Sequence, residues 1–206
     1  MAVDYPVSLK VDYPDRKLNR LTTFFRIFTV IPILIILYLL MGASFQTGSK
    51  EAGTIVSGIG LIFLPLILML LFRRKYPKWW YDWNFNLASF SYRVASYFYL
   101  MTDVYPSTDE EQNVQLEMPY PDAAQLNRWL PLVKWFLAIP HIIVLCFLGI
   151  AAVVVIIIAW FAILFTGKYP KSLFDFVLGV MRWGFRVMCY AMIMITDKYP
   201  PFALDI

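Results

Sequence analysis

The chain carries the same motifs twice, and this internal repeat constrains its fold more than any other feature. Residues 7–20 read VSLKVDYPDRKLNR, and residues 114–128 read VQLEMPYPDAAQLNR. The TDVYP of residues 102–106 likewise returns as TDKYP at residues 196–200. Self-similarity at a long spacing indicates repeated structural units, so it decides the architecture before any local pattern does.

The repeats divide the chain into two similar units. We predict a tandem duplication with a first repeat over residues 1–106 and a second over residues 114–206. Between them lies an acidic linker, residues 107–113, which belongs to the one acidic polar stretch of the sequence.

Long apolar runs indicate a membrane protein. Residues 27–49 and 52–72 contain no charge, and residues 135–167 contain no Asp, Glu, Lys or Arg and one histidine, His141. The apolar fraction is 60%, whereas soluble domains have about 45–50%. Runs of about 20 apolar residues are long enough to cross a hydrocarbon core of ~30 Å. We predict an all-α integral membrane protein with about four transmembrane helices.

Each repeat opens with a short N-terminal strand. Residues 7–11 and 114–118 alternate apolar and polar side chains, which is the period of a β-strand. Two such strands can pair with or cover each other. In the helices that follow, Arg26 and Lys134 occupy matching places, and their long side chains can snorkel to the membrane interface.

We predict that a transmembrane helical hairpin follows each strand. In the first repeat, Gly42, Gly48 and Gly53 mark the turn. In the second repeat, residues 135–167 have room for a short hairpin that turns near Gly149 or for one long tilted helix. A single helix of this length is ~50 Å long and exceeds the hydrocarbon core. We therefore favour the short hairpin.

A third helix closes each repeat, over residues 79–101 and 173–195. Polar residues recur on one face of it at helical spacing: Asp82, Asn86, Ser89 and Arg93 in the first repeat, and Asp175, Gly179, Arg182 and Arg186 in the second. Two arginines near the middle of a span would each cost ~2.5 kcal/mol or more unless paired. We predict an amphipathic interfacial helix, with a third spanning helix as the alternative.

The polar stripe has two interpretations. Inside a membrane, Asp82 with Arg93, and Asp175 with Arg182 or Arg186, would mark a proton relay or ion pathway. On an interfacial helix they form the wet face, and the carboxylate pairs with an arginine of the same helix or accepts from the Lys-Tyr-Pro turn. Both repeats carry the stripe, which favours a shared element of the fold.

Basic residues follow the hairpins, and they are candidate contacts for lipid headgroups: Arg73, Arg74, Lys75, Lys78, Lys168 and Lys171. Such cations gain about 1 kcal/mol each near an anionic leaflet. The tip of the first hairpin carries only Lys50 and Glu51. The positive-inside rule then predicts a multi-pass protein whose two termini are both cytoplasmic.

The sequence offers few groups for enzyme chemistry. His141 is the only histidine, and Ile33 stands at the matching place, so a hydrogen-bonded structural role is favoured over a haem ligand. Cys146 and Cys189 fit buried apolar positions. There is no phosphate loop, zinc helix, nucleophile elbow or nucleic-acid motif. We predict no cofactor, no metal, no nucleic-acid partner and no enzymatic activity.

Several motifs of the second repeat resemble one bacterial membrane family, catalogued as domain of unknown function 4389. They are LFTGKYP at 164–170, LFDF at 173–176, Arg182-Trp183, Tyr190, TDKYPPF at 196–202, LNR at 126–128 and IPH at 139–141. The resemblance covers both repeats, although Arg73-Arg74 replace the Thr-Gly. It implies a small bacterial inner-membrane protein with paired apolar helices and assigns no catalytic residue.

These observations favour a non-catalytic accessory or scaffold subunit of a larger bacterial inner-membrane complex. Its expected partners are membrane lipids and other membrane-protein subunits, contacted through aromatic-rich helices. The alternative is a small transporter, channel or lipid-organising protein with a site at the repeat interface, where duplicated halves often place one.

Overall fold

The fold is mostly helical, with one small sheet. The computed structural model describes residues 5–14, 16–41, 66–67, 69–73, 75–108, 110 and 112–205. The elements run in the order β1 (Ser8–Val11), α1 (Arg20–Phe24), α2 (Arg26–Leu40), a π-helical turn (Met69–Arg73), α3 (Lys78–Phe98), β2 (Val114–Glu117), α4 (Leu130–Thr166), α5 (Lys171–Met188) and a second π-helical turn (Cys189–Ile193). Among the described residues, two helices are long and apolar enough to cross a membrane: Leu130–Thr166 and Lys171–Ile193.

Most of the first predicted hairpin lies outside the described residues. This part includes the turn glycines Gly42, Gly48 and Gly53, the tip residues Lys50 and Glu51, most of residues 52–72, and Arg74. The first transmembrane hairpin therefore stays a prediction.

The two strands form an antiparallel pair in which Leu9 stands opposite Leu116 and Val11 opposite Val114. Alternation buries Leu9, which is 1% exposed. On the outer face, Lys10 and Glu117 form an exposed ion pair at 3.2 Å. A two-stranded sheet is marginal by itself, so the helices beneath it must stabilise it.

Each strand packs against a helix from the other half of the chain. β1 lies on α5, and β2 lies on α3. Arg182 of α5 donates from Nε to the Leu9 carbonyl at 2.9 Å, and the Tyr81 hydroxyl of α3 donates to the Met118 carbonyl. Each strand is therefore supported by a helix of the other half.

The remaining apolar helices form an outer layer. α2 packs on α3, and α4 packs on α5. The middle helices α3 and α5 also touch, since the rings of Tyr92 and Phe185 meet edge to face with centroids 5.3 Å apart. The result is a sheet, a middle pair of helices and an outer pair. α1 joins the outer layer, because the Trp160 indole of α4 donates to the Thr23 carbonyl at 3.1 Å.

The short hairpin predicted for residues 135–167 is wrong. α4 is one helix of 37 residues, and Gly149 lies within it. The helix ends at Gly167, whose φ of 74° is a left-handed conformation that glycine adopts without strain. The prediction failed because it took bilayer thickness as the upper limit for a helix in this segment. The helix is longer than that limit, and α5 packs against it.

The inner face of α4 is a narrow stripe at three- and four-residue spacing. Its most buried members are Lys134, Ala138, His141, Ala152, Ala159 and Ile163. This spacing keeps one side of a helix against a neighbour. The other sides of α4 are apolar and exposed, and only 11% of its most apolar 18-residue stretch is buried.

A distance measurement tests whether α4 is continuous. Spin labels at Phe136 and Phe165, which are 72% and 77% exposed, should lie about 44 Å apart along one helix. A hairpin would bring them to neighbouring-helix distance, about 10 Å between axes. Double electron–electron resonance, with Cys146 and Cys189 replaced by alanine, distinguishes the two. The pair Phe136 and Ile150 is the control, since about 21 Å is expected in either arrangement.

Titration of Glu117 tests the link between the strands. Hydrogen bonds from Ser8 (2.7 Å) and Lys10 hold the pKa of Glu117 below its ordinary value. Ionised Glu117 therefore favours the folded sheet above its unfolded pKa, and this contribution is lost as pH falls through the lowered folded pKa. Ser8→Ala should raise the Glu117 pKa in an NMR titration. The outward-facing control Gln115→Ala should leave it unchanged.

Candidate functional site

A buried ion pair anchors the start of α2. Arg26 is 2% exposed and pairs with Asp103. Its guanidinium also donates to the carbonyl of Tyr97 at 2.8 Å and to that of Thr102, and it lies 4.2 Å from the centre of the Tyr97 ring. We call Arg26 and Asp103 the first clamp.

A second clamp anchors the start of α4 in the same way. Lys134 is 0% exposed and pairs with Asp197 at 2.8 Å. Its ammonium donates to the Thr196 carbonyl at 2.7 Å and lies 5.1 Å from the centre of the Tyr190 ring. We call Lys134 and Asp197 the second clamp. In each clamp, the cation also contacts the threonine before the aspartate and a tyrosine ring.

The clamp aspartates also fix the chain where it enters the helices. Asp103 accepts from the backbone amide of Asn19 at 2.8 Å, and Asp197 accepts from that of Asn127 at 2.6 Å. The Asn19 side chain in turn accepts from the Leu21 amide and caps α1. The Asn127 side chain accepts from the Trp129 amide in the turn before α4. One carboxylate therefore positions both the entry turn and the buried cation.

Sequence reasoning missed the clamps. Arg26 and Lys134 were expected to snorkel to the membrane interface, and this expectation is wrong because both are buried and paired. A signal was present in the recurring sequence motifs. Arg26 and Lys134 stand at matching places after similar motifs, and each half also contains a Thr-Asp, at residues 102–103 and 196–197.

Two tyrosines bind the halves to each other reciprocally. Tyr13, after β1, donates to the Tyr169 carbonyl at 2.5 Å, and Tyr120, after β2, donates to the Tyr76 carbonyl at 2.5 Å. Burial raises the pKa of the Tyr76 and Tyr169 phenols above the ordinary value. Each Lys-Tyr-Pro turn is thus held by the strand end of the other half.

The arginines of the polar stripe hold segments of chain. Arg93 donates to the Ser107 carbonyl at 3.1 Å, Arg186 donates to the Ala203 carbonyl, and Arg182 donates to β1. The carboxylates lie apart from them: Asp82 is exposed, and Asp175 pairs with Lys171 at 3.4 Å on the surface. Two partners were expected for Asp175. An arginine of its own helix is wrong, and the observed partner Lys171 directly follows the Lys-Tyr-Pro turn that was the other expectation.

The candidate headgroup contacts lie on the surface. Arg73, Lys75, Lys78, Lys168 and Lys171 are exposed, whereas Arg74 lies outside the described residues. Lys171 also lies 5.2 Å from the centre of the Tyr13 ring. These positions allow headgroup contact without requiring it.

His141 sits in an aromatic enclosure and is 0% exposed. Its Nδ1 accepts from the Trp183 indole at 3.0 Å, and its ring stacks on Phe202 with centroids 3.9 Å apart. Because an indole N–H only donates, Nδ1 carries no proton. Within the described residues, no group of three or more His, Cys, Asp or Glu side chains could hold a metal ion.

These contacts define a class: a mostly helical protein with two candidate membrane-spanning helices and two interlocked halves. Residues 129–203 match the model of the family described as "Domain of unknown function (DUF4389)". The match supports the family resemblance for the second half of the chain, and it contains the second clamp. No curated protein and no solved structure matches the chain.

Removing one member of a clamp should destabilise the protein strongly. Asp103→Asn leaves Arg26 charged and buried, which typically costs ~3–5 kcal/mol. Thermal unfolding in detergent should show a large fall in Tm, and replacing both members by apolar residues (Arg26→Met with Asp103→Leu) should restore much of it. Asp175→Asn is the matched control, because its pair with Lys171 is exposed and worth ~0–1 kcal/mol. Equal small effects at Asp103 and Asp175 would contradict a structural role for the clamp.

Proposed function

We propose that this protein is a non-catalytic scaffold subunit of a larger bacterial inner-membrane complex. Its polar groups hold its own chain together, and its surfaces contact lipid and partner subunits. The observation that carries this proposal is an exposed face on α3, where the aromatic side chains of Trp79 and Trp83 lie beside Asn86.

The corresponding faces of α3 and α5 differ in what covers them. On α5, Leu204 of the C-terminal segment lies against Gly179, where an added Cβ would come within 2.8 Å of the Leu204 Cβ. On α3, the matching residue Asn86 is exposed, and Trp79 and Trp83 beside it are 64% and 48% exposed. Exposed aromatic clusters mark interaction sites. The α3 face is therefore the surface that we assign to a partner subunit.

The proposal includes a tandem duplication. Support comes from the two clamps, the reciprocal tyrosines and the exchanged strands, which use matching residues in each half. The spacing between matching motifs also increases by one residue between Arg93/Arg186 and Thr102/Thr196. This change coincides with the π-helical turn Cys189–Ile193, and a π-helical turn accommodates one extra residue.

The exposed carboxylates favour a scaffold over a transporter. The carboxylates that a proton relay at the repeat interface would use, Asp82 and Asp175, lie on the surface. The stripe arginines donate to backbone carbonyls.

The proposed location is the bacterial inner membrane, with both termini on the cytoplasmic side. The exposed apolar surface of α4 and the exposed cations Lys168 and Lys171 support contact with a lipid leaflet that is anionic on this side. The same surface suits lipid organisation as a secondary property of the scaffold.

Assembly size tests the scaffold function. The full chain, extracted from native membranes in mild detergent, should migrate in a complex with a stoichiometric partner identified by mass spectrometry. The double variant Trp79→Ala/Trp83→Ala should release that partner while keeping the wild-type Tm. Phe161→Ala, which removes an aromatic side chain that is 50% exposed on α4, is the matched control and should leave the complex intact. A wild-type protein that purifies as a monomer would overturn the proposal.

A further inference from the structure

The two helices that are apolar enough to cross a membrane are buried to very different extents. In Leu130–Thr166, only 11% of the most apolar 18-residue stretch is buried. In Lys171–Ile193, the corresponding stretch is 67% buried. The second helix is covered on one side by α4 and on another by β1. What lies against α5 therefore decides how both helices sit in a membrane.

The strand segment around β1 follows α5 along most of its length. Before β1, the Tyr5 hydroxyl donates to the carbonyl of Lys198, in the segment that follows α5, at 3.1 Å. At the middle, Arg182 binds the Leu9 carbonyl. Near the N-terminal end, the Tyr13 ring meets the Phe174 ring with centroids 5.1 Å apart. A span formed by α5 would take the whole sheet into the hydrocarbon with it.

A sheet of this kind is not tolerated in hydrocarbon. Only helices and closed barrels cross a bilayer, because the edges of an open sheet leave backbone groups without partners. The outer face of the sheet also carries Lys10 and Glu117, whose side chains are 58% and 64% exposed, and charges at the bilayer centre are costly. α5 must therefore lie at the level of the sheet, outside the hydrocarbon centre.

α4 is tied to α5 near both of its ends. At its start, the Trp135 indole donates to the Ala191 carbonyl at 2.8 Å, and Ala138 packs in one cluster with Val187. Towards its end, Ile163 shares the main core with Phe174. α4 and α5 are thus packed together, so the placement of α5 in a membrane constrains that of α4.

We propose that α4 lies lengthwise within the cytoplasmic leaflet of a bilayer containing anionic lipid, with the sheet on the water side. In this orientation its length of about 55 Å is not limited by a hydrocarbon core of ~30 Å. The occupant of its exposed apolar face is lipid. This seating replaces the crossing hairpin expected for the second half, and it does not depend on the scaffold function.

The exposed surface of α4 fits this seating. Large apolar side chains follow the helix along its whole length, among them Phe136, Ile143, Phe147, Ile150, Val154 and Phe161. Exposed cations stand just before and just after it, at Arg128 and Lys168. A helix that crosses would place these two cations on opposite sides of the membrane, against the positive-inside bias. A helix that lies in one leaflet places both at anionic headgroups.

Depth measurements on the full chain test the proposal. Single spin labels at Phe136, Ile150 and Phe165, in the background with Cys146 and Cys189 replaced by alanine, are examined in vesicles of phosphatidylethanolamine and phosphatidylglycerol. Relative accessibility to oxygen and to a water-soluble nickel complex gives the depth of each label. We expect all three labels at one similar depth, on the headgroup side of the centre of the ~30 Å core. A label at Lys10 is the control and should be fully accessible to the nickel complex.

A crossing helix gives a different pattern. Ile150 would then lie deepest, and a membrane-impermeant reductant would reach Phe136 and Phe165 from opposite sides of the vesicle, which would overturn the proposal. This readout does not depend on a partner subunit, so its outcome is separate from that of the scaffold test.

Discussion

The exchange of strands between the two halves is the constraint on which the rest of the structure depends. β1 needs α5 beneath it and β2 needs α3, and the pair of strands joins both requirements into one sheet. The reciprocal hydrogen bonds of Tyr13 and Tyr120 reinforce the exchange at the strand ends. The sheet covers one side of the middle helices, and each outer helix packs on a middle helix with only one of its own sides. The other sides of the outer helices stay apolar and exposed.

The clamps determine where the outer helices begin. A buried cation gains from an ion pair only when further hydrogen bonds satisfy it, and the carbonyls of Tyr97, Thr102 and Thr196 supply these bonds. The cost of desolvating Arg26 and Lys134 makes their position sensitive to any shift of the chain. Because of this sensitivity, Arg26 and Lys134 can fix one register between an apolar helix and its neighbour. Apolar contacts alone would allow several registers.

Much of the local structure could be predicted from the sequence, and the errors concern how segments meet. Alternation in residues 7–11 and 114–118 predicted both strands, and helical spacing predicted α3 and α5. The long helix α4 was mistaken for a hairpin because bilayer thickness was applied to a segment held by a neighbour. Arg26 and Lys134 were misassigned because their partners lie far along the chain, where no local pattern connects them.

The strand exchange also governs how the chain can fold during synthesis. When the first half leaves the ribosome, β1 has neither its paired strand nor its supporting helix, because β2 and α5 are made later. The N-terminal strand therefore cannot pair or pack until β2 and α5 have been synthesised. The contacts that complete the fold join distant parts of the chain, which slows folding. The first half is an incomplete unit until the last helix arrives, so a chain truncated before Lys171 would leave β1 without its support.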